Sequence, residues 1–312
     1  MHVLVTGAGG FVGQCLVRRL LEDAEALPWT RLTLLDVHLS DVPSDPRIHS
    51  LTGSLAEPEV LAAALAHPAE VVFHLASVPG GLAERDYTLG RRVNLDATLA
   101  LFEGLQRPTH PPRVVFASTI AVYGRLPMTP MDETAPLRPQ LSYGTQKLIG
   151  ELLLDDFSRR GGLDGIALRL PGIVARPPQP SGLLSAFMSD LFWRLRDGQA
   201  FVCPVAAEGT AWWMSAARCV DNLLHAARVP SAALVERRAV TLPVLHMSFA
   251  AVVDGLCARF GADRRQLVSY RPDPDLEQAF ARYPALATPN AEALGFKHDG
   301  DLASLIERTL DG

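Results

Sequence analysis

The chain has 312 residues, enough for one large α/β domain or for such a domain with a smaller lobe. Its formal net charge is −5 and no basic run occurs, which argues against nucleic acid or an anionic membrane as a partner. No apolar stretch reaches the length of a membrane span, and Cys15, Cys203, Cys219 and Cys257 are scattered without a C-x-x-C pair, so neither a disulfide framework nor a zinc or other metal site is indicated.

The sequence opens on an apolar strand, His2 to Val5, with no basic, apolar or cleavage region before it, and a cytoplasmic protein is expected. The strand runs into Thr6-Gly7-Ala8-Gly9-Gly10-Phe11-Val12-Gly13, which opens a helix whose apolar residues recur at helical spacing through Leu21. A second strand, Leu32 to Leu35, ends on Asp36. Strand, glycine turn, helix and strand ending on an acid form a dinucleotide-binding unit. Its glycines let the backbone approach a pyrophosphate, and N–H groups at the helix start bind it. Gly7, Gly10 and Gly13, with Phe11 and Val12 between them, are therefore cofactor candidates. Asp36 can accept from both adenosine ribose hydroxyls and would repel a 2′-phosphate, which selects NAD. The spacing Gly7-x-x-Gly10-x-x-Gly13 departs from the commoner Gly-x-Gly-x-x-Gly, but three glycines exceed what a tight turn needs for positive φ.

A third strand, Leu51 to Leu55, leads into a helix over Glu57 to Ala66, and Ser54 and Leu55 are placed beside the adenine. The fourth strand, Val71 to Ser77, ends in small residues before Pro79-Gly80-Gly81. Leu75, Ala76 and Ser77 thus mark a carboxyl edge where open α/β sheets bind ligands. His74 reads as a structural histidine. The helix from Asp86 to about Gln106 carries Asn94, which could bridge helix backbone and active site. A fifth strand, Arg113 to Ala117, delivers Ser118 and Thr119 to the same edge. After a proline-rich loop from Gly124 to Gln140 comes a helix from Ser142 to about Arg159, then a sixth strand, Ile166 to Leu170, ending at Pro171-Gly172-Ile173. Beyond Ala175 the alternation fades, prolines 177, 178 and 180 cluster, and helices dominate. The expected organisation is a cofactor domain over 1–175 and a smaller substrate lobe over 176–312, with some later segments returning to the first domain.

Tyr143 and Lys147 stand four apart on one helix, so their side chains share a face. A tyrosine hydroxyl titrates near ~10 when unperturbed, and a nearby ammonium favours the phenolate. The pair is an acid/base for a secondary alcohol, with Thr119 or Ser118 to hold the substrate oxygen. Of the 29 basic residues only Lys147 and Lys297 are lysine. A compact ammonium at 147, where the chain otherwise uses arginine, suits a position between a phenol and a ribose.

Together, Gly7-x-x-Gly10-x-x-Gly13, Asp36, His74-Leu75-Ala76, Ser118-Thr119-x-x-Val122-Tyr123-Gly124 and Tyr143-x-x-x-Lys147 resemble the extended short-chain dehydrogenase/reductases, the NAD-dependent epimerase/dehydratase superfamily. The resemblance runs from Met1 to about Pro177, and weakly onward through Leu294-Gly295-Phe296. It implies a doubly wound parallel-sheet Rossmann fold with a smaller, mostly helical C-terminal substrate lobe. It also implies NAD as cofactor, catalysis by Thr119, Tyr143 and Lys147, a cofactor role for Asn94, Pro171 and Ile173, and a homodimer built from the helices following Asp86 and Tyr143.

Departures from the family pattern bear on the substrate. The usual Gly-Asp-Leu is Gly53-Ser54-Leu55 here, which removes a charged acceptor for the adenine amino group. The nucleotide-sugar enzymes carry a diphosphate-clamping arginine where this chain reads Ala211-Trp212-Trp213-Met214-Ser215-Ala216, and a diphosphate needs fixed cationic donors. The runs Ser142 to Leu152, Asp156 to Gly161 and Leu168 to Pro177 are most similar to the family members that oxidise the C2 hydroxyl of the four-carbon sugar acid D-erythronate. On that resemblance Arg176 is the candidate for the substrate carboxylate, Ser77 and Ser118 for its hydroxyls, and Trp212 and Trp213 for a pocket wall. A nucleotide-sugar epimerase or dehydratase is the alternative reading.

Overall fold

The structure is a computed structural model that describes residues 1–23, 25–40, 42–178, 184–234 and 238–310; Pro180 of the expected proline cluster lies outside them. By internal packing the chain falls into two units. The first is Met1–Val122, Pro139–Arg169 and Val220–Val240, and the second is Tyr123–Arg138, Leu170–Cys219 and Thr241–Gly312. The main departure from the first unit thus comes at Leu170, and the proline-rich loop makes an earlier one.

The first unit is built on a seven-stranded sheet, whose strands are numbered here in chain order: β1 (His2–Thr6), β2 (Arg31–Asp36), β3 (Ile48–Thr52), β4 (Val71–His74), β5 (Arg113–Thr119), β6 (Asp164–Leu170) and β7 (Ala239–Thr241). Their spatial order is 3-2-1-4-5-6-7, and the pairs β3–β2, β2–β1, β1–β4 and β4–β5 are parallel. This is the doubly wound order with its switch point between β1 and β4, where such sheets bind nucleotides. β1 and β4 are buried along their whole length, which is why they read as unbroken apolar runs. One core of the unit joins Leu4, Leu35, Val72, Phe102, Phe116 and Leu154.

Helices α1 (Phe11–Glu22), α2 (Pro58–Leu65), α3 (Gly80–Arg85), α4 (Tyr87–Arg91), α5 (Ala97–Leu105) and α6 (Ser142–Arg159) accompany the sheet. Two expectations are corrected. The third strand lies earlier than Leu51 to Leu55, because Ile48 to Thr52 is what pairs with Leu32 to Asp36. The helix expected from Asp86 to Gln106 is interrupted by a π turn, Arg92–Asp96, between α4 and α5.

The second unit has a core of its own, in which Phe187, Phe192, Trp213, Phe249 and Leu305 are buried together. A three-stranded sheet sets Thr210–Ser215 between Leu245–Ser248, antiparallel, and Gly172–Val174, parallel. The helices Ala186–Arg196, Phe249–Phe260 and Leu302–Leu310 belong to this unit. Among the described residues no helix is long and apolar enough to cross a membrane.

Candidate active site

The glycine loop folds back on β2, with Gly7 N–H and Ala8 N–H both donating to the carbonyl of Leu35 at 2.8 and 3.2 Å. Gly7 adopts φ 74°, and a Cβ there would fall 2.5 Å from the Ala76 nitrogen, so glycine is required for the loop to meet the end of β4. Gly10 is different. A Cβ at this position would meet only the Gly7 carbonyl oxygen, at 3.3 Å, and its backbone is extended. Gly10 is the N-cap of α1, makes no side-chain cap, and is followed by a first turn without an acid. A helix start with no side-chain cap and no first-turn acid fits a pyrophosphate, through the N–H groups of its first turn and the positive end of the helix dipole.

The Asp36 carboxylate lies beside the glycine loop at the end of β2. Its Oδ2 accepts from Gly9 N–H at 2.9 Å and its Oδ1 from His38 N–H at 3.2 Å. Each oxygen retains acceptor capacity for a ribose hydroxyl. Gly9, adjacent to the Gly10 that the spacing singled out, is a residue the sequence reading missed; a Cβ there would lie 1.9 Å from the His38 carbonyl oxygen. Ser54 Oγ accepts from Ala56 N–H at 3.2 Å, and the Leu55 side chain is buried in the core, so only its backbone can face an adenine. Leu75, Ala76 and Ser77 are half-buried beyond β4.

α6 carries Tyr143 and Lys147 close above β5, and Gly150 makes that approach possible, since a Cβ there would stand 2.8 Å from Cζ of Phe116. Lys147 is 1 % exposed. Its Nζ donates to the Ala117 carbonyl at 2.8 Å and lies 4.7 Å from the Phe116 ring centre and 5.9 Å from that of Tyr143. Burial in this apolar setting pushes its pKa down to about 7, against the opposing pull of Glu151. Thr119 follows Ala117 by two residues, and its Oγ1 accepts from Ala121 N–H at 3.1 Å, which leaves its hydrogen to donate. Gly80 stands beside Tyr143, where a Cβ would be 3.5 Å from Cδ1 of the ring.

Ser118 does not share this edge. Its hydroxyl is buried and donates to Glu151 Oε1 at 2.5 Å, because successive strand residues face opposite sides of the sheet. Asn94 is fully buried in the π turn, where its side chain accepts from Val78 N–H at 2.7 Å and donates to the Val78 carbonyl at 3.1 Å and to Gln146 Oε1 at 2.9 Å. It therefore ties the β4 loop to α6 rather than reaching toward a ligand, and Gln146 is its partner that sequence reasoning missed. π turns concentrate at functional sites.

His74 is enclosed by Thr6 Oγ1 at 2.7 Å and Thr98 Oγ1 at 2.9 Å and stacks on Phe116. Burial, reinforced by the charge of Lys147, takes its pKa down to about 3, so the ring is neutral and structural. Pro171, Ile173 and Arg176 belong to the second unit. There Arg176 N–H donates to Ser189 Oγ at 3.0 Å and its carbonyl accepts from Trp193 Nε1 at 2.6 Å. Trp212 and Trp213 are not a pocket wall: both are fully buried, with indole N–H groups donating to the carbonyls of Pro284 at 2.7 Å and Met247 at 3.0 Å. Among the described residues no cluster of His, Cys, Asp or Glu could hold a metal ion.

A model of the NAD dependent epimerase/dehydratase family matches residues 3–235. The chain is 40% identical to a D-erythronate dehydrogenase of Cupriavidus necator, over 100% of this chain and 98% of that protein. It is 33% identical to a D-erythronate dehydrogenase of Haemophilus influenzae, over 100% and 99%. A solved structure described as a nucleoside-diphosphate-sugar epimerase from Agrobacterium tumefaciens is similar with a TM-score of 0.93 and 32% identity, covering 100% of this chain and 94% of that one.

Proposed function

The chain belongs to the NAD-dependent epimerase/dehydratase family, and from that premise we propose that, as an NAD-dependent dehydrogenase, it oxidises the C2 hydroxyl of a short sugar acid, D-erythronate, to 2-oxo-D-erythronate. What carries this reading is full-length identity of 40% and 33% to two D-erythronate dehydrogenases in a chain that keeps Thr119, Tyr143 and Lys147.

Bound NAD would supply the acceptor for the C2 hydride. Gly10, the N–H groups of Phe11, Val12 and Gly13, and Asp36 would hold the cofactor's pyrophosphate and ribose, with Ser54 and the Leu55 backbone beside the adenine and Leu75, Ala76 and Ser77 at the carboxyl edge of the sheet. Thr119 donates to the C2 oxygen and fixes it. Tyr143 removes the hydroxyl proton as general base. Lys147 stabilises the phenolate by its charge and has two further N–H donors for the nicotinamide ribose after its bond to Ala117. Ser77 binds a substrate hydroxyl and Arg176 the carboxylate. Pro171 and Ile173 are further cofactor contacts on this reading, as the family resemblance implies.

The enzyme works in the cytoplasm as a homodimer. α3, α4 and the π turn pack on α6, and this group of helices leaves Tyr87 59% and Leu152 63% exposed, apolar side chains that a second copy could cover. Sedimentation at twice 33.7 kDa is expected.

One observation favours a nucleotide-sugar epimerase, the description of the Agrobacterium tumefaciens structure. Against it, the segment Ala211 to Ala216 is uncharged and buried throughout, leaving no cation there to grip a diphosphate. The two readings separate in one assay. An epimerase regenerates its NAD within each turnover, whereas a dehydrogenase given D-erythronate and NAD accumulates NADH steadily. No NADH from D-erythronate, from threonate or from any other C4 to C6 aldonate overturns the proposal.

A further inference from the structure

Beneath the Tyr143 and Lys147 turn lies a buried charge pair that no step above uses. Glu151 follows Lys147 by four residues on α6, hence on the same helix face. Arg169 of β6 forks onto it, Nε to Oε1 at 3.0 Å and Nη2 to Oε2 at 2.7 Å, with side chains only 5% and 3% exposed for Arg169 and Glu151. Ser118 adds a third donor at 2.5 Å. A bidentate guanidinium and a hydroxyl together fix both carboxylate oxygens. Burying such a pair is not by itself a gain in stability over apolar side chains, so its presence calls for another reason.

We propose that Glu151 is a positioning residue for this reaction: pinned by Arg169 and Ser118, it presents a fixed carboxylate one helical turn beyond Lys147 and keeps that side chain an ammonium in an otherwise apolar pocket. The inference rests on the proposed role of Lys147. The groups facing Lys147 are Tyr143 and Glu151 from α6, the Phe116 ring and Ala117 carbonyl from β5, and His74 from β4. Arg169 stands behind the carboxylate on β6. His74 is neutral, so Glu151 supplies the anion that opposes desolvation of the ammonium. Without the ammonium Tyr143 loses the charge that favours its phenolate, and the base is lost at neutral pH.

The chain's two lysines make this measurable without any substrate. Full-length protein carrying 13C at lysine Cε gives two signals, assigned with Lys297→Arg, and the Lys147 signal is titrated with and without NAD. Glu151→Gln is expected to lower the Lys147 midpoint by roughly one pH unit and to cut kcat/KM at neutral pH roughly tenfold, with the acid limb of the pH profile moved upward. Glu151→Asp, which keeps the charge, restores most of both. If Glu151→Gln does not fold, Glu151→Gln with Arg169→Gln removes both charges together, strands neither, and is expected to show a lowered midpoint as well. A Lys147 midpoint that stays put in a folded, NADH-binding variant overturns the inference whether or not D-erythronate is the substrate. A loss of activity with no change in the titration does the same.

Discussion

Lys147 donates its ammonium hydrogen to the carbonyl of Ala117, 2.8 Å away, and this bond ties the helix bearing Tyr143 to the strand that ends on Thr119. The helix that carries two of the candidate groups is thereby held against the strand that carries the third. A rigid strand and a packed helix hold such groups more tightly than loops would.

Tyr143→Phe keeps the ring beside Gly80 and removes only the hydroxyl. Turnover is expected to fall by about 10²- to 10⁴-fold, the usual worth of a general base, while NADH binding measured by fluorescence stays within about twofold. Retained turnover would show that another group takes the proton.

Gly10 and Gly7 are expected to respond differently to one added methyl. Gly10→Ala adds a Cβ that meets a single backbone atom, the Gly7 carbonyl oxygen at 3.3 Å, on an extended backbone, so the melting temperature is expected to fall far less than for Gly7→Ala while NAD affinity drops by about tenfold or more. Gly7→Ala strains a backbone at φ 74° and drives a Cβ into Ala76, and costs about 1–3 kcal/mol of stability even without cofactor. Equal loss of stability in both would remove the reason for assigning Gly10 to the ligand.

Asp36 accepts from Gly9 and His38, and we propose that its charge also sets cofactor choice. Asp36→Ser removes the anion that repels a 2′-phosphate, and the ratio of kcat/KM for NAD over NADP is expected to fall by about 10²-fold or more, a difference of ~3 kcal/mol for one charge contact. An unchanged ratio would place the ribose elsewhere.

His74 gives the fold an acid sensitivity of definite sign. Its folded pKa of about 3 lies below the ordinary 6.5. Between these values the unfolded chain binds a proton that the folded one refuses, so stability is full above 6.5 and declines as pH falls toward 3. His74→Gln, neutral throughout and able to bond both Thr6 and Thr98, should flatten that decline in urea unfolding followed from pH 7 to 4. A slope as steep as the native one would exclude His74 as its source.

Much of the first unit was legible because buried parallel strands are apolar runs: His2 to Val5, Leu32 to Leu35 and Val71 to Phe73 all lie in strands of the sheet. β3 was misjudged because it sits at the sheet edge, where a half-buried His49 and an exposed Ser50 are tolerated and leave no apolar signature. The π turn was invisible, since one extra residue in a turn hardly alters helical periodicity over a long stretch, yet it is what turns Asn94 inward to Val78 and Gln146. Strand alternation says only that Ser118 and Thr119 face opposite sides; it was the family resemblance that pointed to Thr119 as the catalytic hydroxyl. Ser118 is taken up by Glu151, which Arg169 holds in turn, and those pairings join positions far apart in the chain. Trp212 and Trp213 alternate on one strand but are both covered, so neither face of that strand opens to a pocket.

The central claim is removal of hydride from C2 of a small sugar acid with Tyr143 as base. Its most direct test is D-erythronate deuterated at C2, incubated with NAD and the enzyme. Formation of deuterium-labelled NADH in step with 2-oxo-D-erythronate, slowed relative to the unlabelled substrate and abolished by Tyr143→Phe, is the predicted result. NADH without the label, or no reduced cofactor at all, would contradict it.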